Sequence, residues 1–503
     1  MDPGGRDGLY LGFDVGTQAT KGLALDAASG RVVARGGQSY GLIPGLPPGA
    51  AEQDPQTWVQ AVREVAAELL ATPEVDRARV RGVGVSGQQH GLVILDAEGE
   101  SVRPAKIWCD TTTAQEAEEL SQELGRAVPA GFTASKILWV RRHEPGLWGR
   151  VRSVLLPHDY INLRLTGRMT MEPGDASGTG FFDPVARAFD PGAVERIDPR
   201  LGEMLPPVIA PGTPAGVLSA EGAALLGLSE GIIVAAGGGD NMMSAIGSGA
   251  TSPGVVVVSL GTSGTAFAYS DRPVVDPEGL IAPFCDSTGG WLPLLCVMNM
   301  TGVAEEVRAT FEEQEESLES LTDAAAAAPP GCDGLLLLPF LQGERVPNLP
   351  SATGVLAGIR PGLLRKGHLF RAALEGTSLS LGLGIERMKR LGISVESVRL
   401  VGGGSRNPLW GQILADILEV PVVRLAEPES AALGAALQAL WTVRREAGED
   451  VTADAVAAPF IRMEGEAVCP DPTRSAIYRD ARSRFRELTE RIFSPQGSPQ
   501  FRV

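Results

Sequence analysis

At 503 residues the chain is too long for one hydrophobic core and fits two large domains. Its 44% hydrophobic and 21% charged residues exclude wholesale disorder, and no apolar run approaches the roughly 18 to 20 uncharged residues that a membrane span needs. A net charge of −17 argues against nucleic acid as the main partner, and five scattered cysteines and four scattered histidines give neither a disulfide framework nor a zinc-ligand spacing.

The N-terminus, Met1-Asp2-Pro3-Gly4-Gly5-Arg6-Asp7, has no basic region followed by an apolar one, so the expected location is cytoplasmic with no membrane partner. Two apolar runs then flank a Gly-Thr turn in Leu11-Gly12-Phe13-Asp14-Val15-Gly16-Thr17-Gln18-Ala19-Thr20-Lys21-Gly22-Leu23. This reads as a hairpin whose turn offers backbone N–H groups and a hydroxyl to phosphate oxygens. Asp14 is the hard oxygen ligand that Mg²⁺ prefers, and that ion needs only one or two carboxylates besides the phosphates. A single copy of such a hairpin is more often a plain tight turn.

Past a Gly- and Pro-rich segment, Asp54-Pro55 starts a helix in which Trp58, Val62, Val65 and Leu69 recur at helical spacing. An apolar strand at 80–85 leads to Ser86-Gly87-Gln88-Gln89-His90-Gly91. Polar side chains at the carboxyl end of a strand mark ligand sites in open α/β sheets, and Gln88, Gln89 and His90 suit a polyol better than a core. Position alone would leave His90 bonded to a nearby carbonyl. Trp108-Cys109-Asp110-Thr111-Thr112-Thr113 reads equally as sugar contact or as the capping turn of an acidic helix at 114–124. The stretch 131–180 carries no legible function, and Asp175 reads as part of a flexible turn.

At 231–247 a buried strand enters Gly237-Gly238-Gly239-Asp240-Asn241 and a helix follows. Asp at that place is usually an N-cap, but three preceding glycines leave room for a ligand. Such a carboxylate can orient and deprotonate a sugar hydroxyl attacking a γ-phosphate.

A second hairpin, Val256 to Asp271, repeats the first at an offset of 245 without a gap, matching Gly16 with Gly261, Thr17 with Thr262, Thr20 with Thr265 and Asp26 with Asp271. Ser259 stands where the first copy has Asp14, so only one half supplies a metal ligand. The repeat implies two related domains with a nucleotide's phosphates between the turns. An Ala-rich helical region at 304–328 and a helix at 366–391 follow. Then Gly402-Gly403-Gly404-Ser405-Arg406-Asn407 sits between a strand and a helix, with Asn407 or Ser405 as cap, as a shelf for an adenine ring or an ordinary βα turn. A small-residue helix begins at Ser430, and the tail from 486 to 503 is expected to be disordered.

These motifs in this order resemble the FGGY carbohydrate kinases of the α/β, two-domain actin/hexokinase/Hsp70-like (ribonuclease H-like) superfamily, from about residue 9 to about 485. The resemblance implies an N-terminal domain at 8–247, a C-terminal domain at 248–485 and an active site in the cleft between them. Within the family, the loops at His90 and Gly131 resemble those of the members acting on D-xylulose. It implies ATP and Mg²⁺, transfer of the γ-phosphate to a ketopentose, Asp240 as proton acceptor and Asp14 near the metal. Gln89, His90, Asp240 and Asn241 would contact sugar, while Thr17, Gly261, Thr262, Gly403, Gly404 and Asn407 would hold nucleotide. A homodimer is compatible with it, although no stretch of the sequence specifies one.

Two departures fall near substrate: Gln89 replaces a common Met, and Trp108-Cys109-Asp110-Thr111-Thr112 lacks the Asn and Arg of the usual pattern. A kinase for another ketose or polyol, such as ribulose or ribitol, is therefore the rival enzyme reading. A nucleotide-driven chaperone or filament protein of the same fold is the rival from another class.

Overall fold

The computed structural model describes residues 5–311 and 317–493, which fold around two mixed sheets. In the first, the strands run Pro214–Val217, Ile233–Ala235, Val80–Gly87, Leu9–Val15, Ala19–Asp26, Arg31–Ser39, with Gly238–Gly239 continuing beside the end of Val80–Gly87. In the second the order is Ala282–Cys285, Trp291–Val297, Gly264–Ala268, Gly254–Leu260, Val395–Val401, Val422–Leu425, Met463–Val468. Each sheet centres on the first strand of a hairpin, paired antiparallel with its return strand and parallel with a later one, Val80–Gly87 or Val395–Val401. Parallel strands inside such sheets are covered on both faces, and the runs LYLGFDV and GVVVVSL are accordingly almost wholly buried.

The two hairpins are not superimposable residue for residue. Val15 faces Thr20 across four turn residues, whereas Leu260 faces Gly264 across three. Thr265 consequently lies opposite Ser259, the counterpart of Asp14, while Lys21 lies opposite Asp14 itself. The matching of Thr20 with Thr265 is thus an identity of letters only, because pairing partners are set by turn length.

Asp54 caps the helix Pro55–Ala71 by accepting from the Gln56 N–H at 3.0 Å, and Trp58, Val62, Val65 and Leu69 are fully buried against the first sheet. Between the sheets lie Asp240–Ser248 and Ser430–Glu446. They touch backbone to backbone: a Cβ on Gly247 would come within 1.8 Å of the Ser430 carbonyl, and one on Gly434 within 1.7 Å of the Met243 carbonyl. The longer helix also lies on the first sheet, where the strand residues Gly12 and Gly84 meet the Ala432 and Ala435 carbonyls. Tyr10, Leu23 and Leu25 of one sheet and Val257, Phe267 and Leu294 of the other share a single core with these helices.

The chain continues as a helix, Pro472–Phe493, beyond the point where a tail was expected at 486. Tyr478, Phe485 and Thr489 repeat on one buried face and Phe485 packs edge-on to Phe340, which orders residues 486–493; the remainder of the expected tail, 494–503, lies outside the described residues. No helix among the described residues is long and apolar enough to cross a membrane.

Candidate active site

Asp14 stands at the end of the first strand, beside Ser86 on the parallel neighbour, whose hydroxyl donates to its Oδ1 at 2.7 Å. Burial, and then the charge of Glu429, raise its carboxyl above the ordinary carboxylate range. The turn that follows is braced from several sides: the Tyr40 hydroxyl donates to the Gly16 carbonyl and the Gln53 amide to the Thr17 carbonyl. The Thr17 hydroxyl accepts from the Trp108 indole at 2.9 Å and donates to Gln88 at 3.1 Å. With the hydroxyl so engaged, what the turn presents is backbone.

The strand Val80–Gly87 delivers Gln89 and His90, and Gly238–Gly239, pairing with its last residues, delivers Asp240 and Asn241 beside them. Asp240 is the first residue of its helix, after Gly239 as the cap. Its Oδ1 accepts from the Asn241 backbone at 2.7 Å and the Asn241 amide at 2.9 Å, and that amide also donates to Gln89 Oε1 at 2.8 Å. Burial first, and then the negative charge of Asp14, push the Asp240 carboxyl up to about 7, with Asp175 adding to the effect. Gln89 is buried and its Nε2 has no hydrogen-bond partner, a donor that a polyol oxygen would satisfy.

His90 has a left-handed backbone, φ 67°, rare for a residue with a side chain and concentrated at functional sites. Its ring lies between Phe132 and Phe284, centroids 4.7 and 5.8 Å away, so both sheets' domains touch it. A Cβ on Gly178 would stand 1.9 Å from its Nδ1, so only glycine lets the chain pass there. Burial, with Lys136 and Arg345 nearby, pushes the imidazole down to about 3, and His90 acts as a neutral ring.

Beneath this layer lies a charged cluster that no local pattern in the sequence announces. Asp175, expected in a flexible turn, is fully buried, with Oδ2 2.7 Å from His158 Nδ1; His158 Nε2 lies 3.0 Å from Asp159. Burial alone would lower the His158 pKa, but the two carboxylates outweigh it and hold the ring well above its ordinary value. Glu172 accepts from the Gly174 and Asp175 N–H groups and from Ser287 of the other domain at 3.1 Å, and burial pushes its carboxyl up to about 7. Cys285 N–H to Ser177, the Trp291 indole to the Pro184 carbonyl, and Arg187 to the Gly289 and Gly290 carbonyls continue this seam. The stretch 131–180 therefore floors the site. Lys136, equally unheralded, is buried on the carbonyls of Gly131, Phe132 and His90, and burial lowers it to about 7.

Asp110 is also fully buried and takes the Lys106 ammonium at 3.1 Å, the Ala51 N–H at 2.9 Å and the Thr112 N–H at 2.9 Å. It closes a structural turn ahead of the helix Ala114–Leu124, whose cap position is Thr113.

In the second domain, the carbonyls of Gly261 and Thr262 receive the Thr301 and Met300 N–H groups, so this turn is seated on the start of the helix Thr301–Ala309. Gly404 packs over Leu260 and Thr301, and a Cβ on Gly403 would meet nothing within 4 Å, leaving that face open. Asn407 caps the helix Pro408–Leu418 by accepting from the Trp410 N–H, while its amide donates to Thr322. A cavity of about 270 Å³ is lined by Lys21 of the first domain together with Val401, Gly402, Gly403, Arg406 and Glu429. Lys21, which the sequence pattern did not single out, pairs with Glu429 at 2.8 Å. The Thr265 hydroxyl, 3.5 Å from Asn241, joins the second hairpin to the Asp240 group. Residues singled out by sequence thus meet across the two domains at the Thr265–Asn241 contact and, through Lys21, at the cavity beside Gly402 and Gly403. Asp14 with phosphate oxygens would suffice for Mg²⁺, and among the described residues no cluster of three or more metal-ligating side chains points to a different, all-protein site.

Residues 9–247 match the FGGY family of carbohydrate kinases, N-terminal domain, and residues 256–443 match the C-terminal domain of that family. A xylulose kinase from Haemophilus influenzae is 39% identical over 449 residues, 86% of this chain and 90% of that one. Another from Streptomyces coelicolor is 41% identical over 459 residues, 88% and 89% of the two chains. Among solved structures, one described as a xyloylose kinase from Brucella ovis superimposes with a TM-score of 0.89 at 31% identity, over 96% of this chain and 99% of that one.

Proposed function

Because the chain belongs to the FGGY family of carbohydrate kinases, we propose that it transfers the γ-phosphoryl group of MgATP to O5 of D-xylulose, giving D-xylulose 5-phosphate. The observation that carries this reading is Asp240, a carboxyl raised to about 7 beside Asp14 and wired through Asn241 to Gln89. A base of that strength takes up a hydroxyl proton near neutral pH, and its position supplies most of the effect, since phosphoryl transfer depends chiefly on alignment and charge neutralisation.

Asn241 holds the Asp240 carboxylate in orientation through two hydrogen bonds, and Gln89 turns its free Nε2 to a sugar oxygen. His90, neutral and wedged between two phenylalanines, reads a hydroxyl without adding charge. The backbone of the Gly16-Thr17 turn on one wall, and of Gly261-Thr262 on the other, receives phosphate oxygens. Gly403 and Gly404 form the shelf for the base, with Asn407 fixing that turn through its cap. Asp14 would hold Mg²⁺, which when bound offsets the negative charge of the phosphates. Closure of the cleft excludes water, which would otherwise compete as acceptor.

We take the domain boundary at 247/248, where Asp240–Ser248 ends, and the location as cytoplasmic; a homodimer is testable by sedimentation. The test of function is a panel of D-xylulose, D-ribulose, L-ribulose, ribitol and glycerol ranked by kcat/KM, together with Asp240→Ala. D-xylulose should rank first and the variant should lose about 100-fold or more in kcat. Ribulose or ribitol ranking first would move the substrate, in keeping with the extra donor at Gln89. Sugar-independent ATP turnover would favour the chaperone-like alternative, and a variant within a few-fold of wild type would remove Asp240 as base.

A further inference from the structure

The backbone that leads to Asp240 does not run straight. Ile233–Ala235 and Gly238–Gly239 both pair with Val80–Gly87, but between the pairs Val234–Val83 and Gly238–Ser86 three residues, 235–237, stand against two, 84 and 85. The ladder slips by one residue, and an extra residue of this kind re-aims the side chains that follow while leaving its own backbone groups without a ladder partner. A slip of one also sets which face of the sheet each later side chain takes. Gly237 lies at the slip with φ 79°, where a Cβ would stand 2.7 Å from the Val85 carbonyl and 2.8 Å from the His158 ring.

Both backbone groups of Gly237 are taken by one side chain. Gln438 Oε1 accepts the Gly237 N–H at 2.8 Å, Gln438 Nε2 donates to the Gly237 carbonyl at 3.0 Å, and the glutamine is only 1% exposed. The neighbouring Ala236 carbonyl receives the Asn162 amide at 2.7 Å. An amide carries a donor and an acceptor side by side, which is what a residue dropped from a ladder lacks. Gln438 belongs to Ser430–Glu446 and follows Ala435 by one turn; the Ala435 carbonyl rests on Gly84, so the amide comes from an element that has no room to recede. We propose that Gln438 is a positioning residue for the reaction: it clamps Gly237 in the slipped register and thereby fixes where the strand ends at Gly239 and how Asp240 enters its helix. The inference rests on the sugar-kinase reading above, in which Asp240 is the base. Without the clamp, the Gly237 N–H and carbonyl are left buried and unbonded, the glycine loop shifts to satisfy them, and the carboxylate leaves its line to the acceptor hydroxyl.

The experiment measures kcat and both KM values with D-xylulose and MgATP for wild type, Gln438→Met, Gln438→Glu and Val443→Ala. Val443, on the same helix, packs against Gly5 and Gly82, near the start of Val80–Gly87 and away from the site, and controls for loss of packing. Gln438→Met should lose about 10-fold or more in kcat with the MgATP KM within about twofold, while Val443→Ala keeps kcat within about twofold. Burial favours the neutral form of the carboxyl in Gln438→Glu, whose carbonyl and hydroxyl reproduce both bonds; once ionised, it has no donor for the Gly237 carbonyl. The ratio of its kcat to that of wild type should therefore approach one at about pH 5.5 and fall about 10-fold by about pH 9. His158 with Asp159 and Asp175 around it, Glu172 beside Gly238, and Asp240 itself are common to both proteins and cancel in the ratio. Hydrogen exchange of the Gly237–Asn241 backbone, read by mass spectrometry, should quicken in Gln438→Met and not in Val443→Ala, whichever acceptor the enzyme uses. A Gln438→Met enzyme within twofold of wild type in kcat, a Gln438→Glu ratio flat with pH, or unchanged exchange would overturn the inference. Wild type inactive on every sugar of the panel would instead remove the function reading, with the exchange measurement still deciding whether the clamp exists.

Discussion

Replacing Gly434 with Ala sets two effects of opposite sign against each other. Alanine is favoured over glycine in a helix interior by about 1 kcal/mol, so propensity alone predicts a more stable protein. The added Cβ would stand 1.7 Å from the Met243 carbonyl oxygen and 2.9 Å from the Gly247 nitrogen, both backbone atoms that cannot rotate away. Restoring even a 3.0 Å contact requires the helices to part by about 1.3 Å at that point. Ser430–Glu446 has no room to retreat, because its Ala432 and Ala435 carbonyls already rest on Gly12 and Gly84. Overpacking of this kind costs about 1–3 kcal/mol where neighbours adjust, and here the upper end applies, leaving a net loss of about 2 kcal/mol after the propensity gain. Urea midpoints followed by far-UV circular dichroism measure it. Gly382→Ala is the control: it is buried in the helix Lys366–Arg390, yet its new Cβ would meet only side-chain carbons at 3.3 Å and beyond, so it should be neutral or stabilising. A Gly434→Ala protein as stable as Gly382→Ala would refute the steric argument.

Gly178→Ala drives a methyl into the His90 ring and should raise the ketose KM about tenfold or more without changing the MgATP KM, as steady-state kinetics would reveal. Asp110→Asn leaves Lys106 buried with only Glu52 as carboxylate partner; unfolding should become easier by roughly 3 kcal/mol while the ketose KM holds, and the reverse pattern would return Asp110 to the sugar site. Glu172 is raised in the folded state above its unfolded value, so its contribution to stability is fully present below about pH 4.5 and is lost as pH rises through about 7. The stability of wild type relative to Glu172→Gln should therefore fall by about 3 kcal/mol across that window, and urea midpoints at a series of pH values that ran parallel would contradict the assignment.

Asp14, the two Gly-Thr turns and the glycine loop before Asp240 were legible because each is punctuated locally, by glycine at a strand end and by one functional side chain. The helix at Asp54 was equally plain, from its cap and its 3.6-residue period. What stayed hidden depends on residues that meet only in the folded chain: His158 with Asp175, 17 positions apart, and Glu172 with Ser287, 115 apart. No periodicity marks either pair, so Asp175 read as a turn. Lys136 carried no signal in the sequence, because a cage of carbonyls has no side-chain signature. The repeat was visible as identities, but the shorter second turn, which moves Thr265 opposite Ser259, could be read only from the pairing of the strands.

The seat of Ser430–Glu446 on Gly12 and Gly84 has a consequence for any attempt to dissect the molecule. A gene cut at 247/248 yields two polypeptides, but the piece bearing the first sheet would be missing the lid of its own interior, since that lid, Ser430–Glu446, is encoded about 180 codons downstream. Expressed separately, each fragment should be sticky and poorly soluble, and mixing the two should rescue both. The gene divides into halves more readily than the folding unit does.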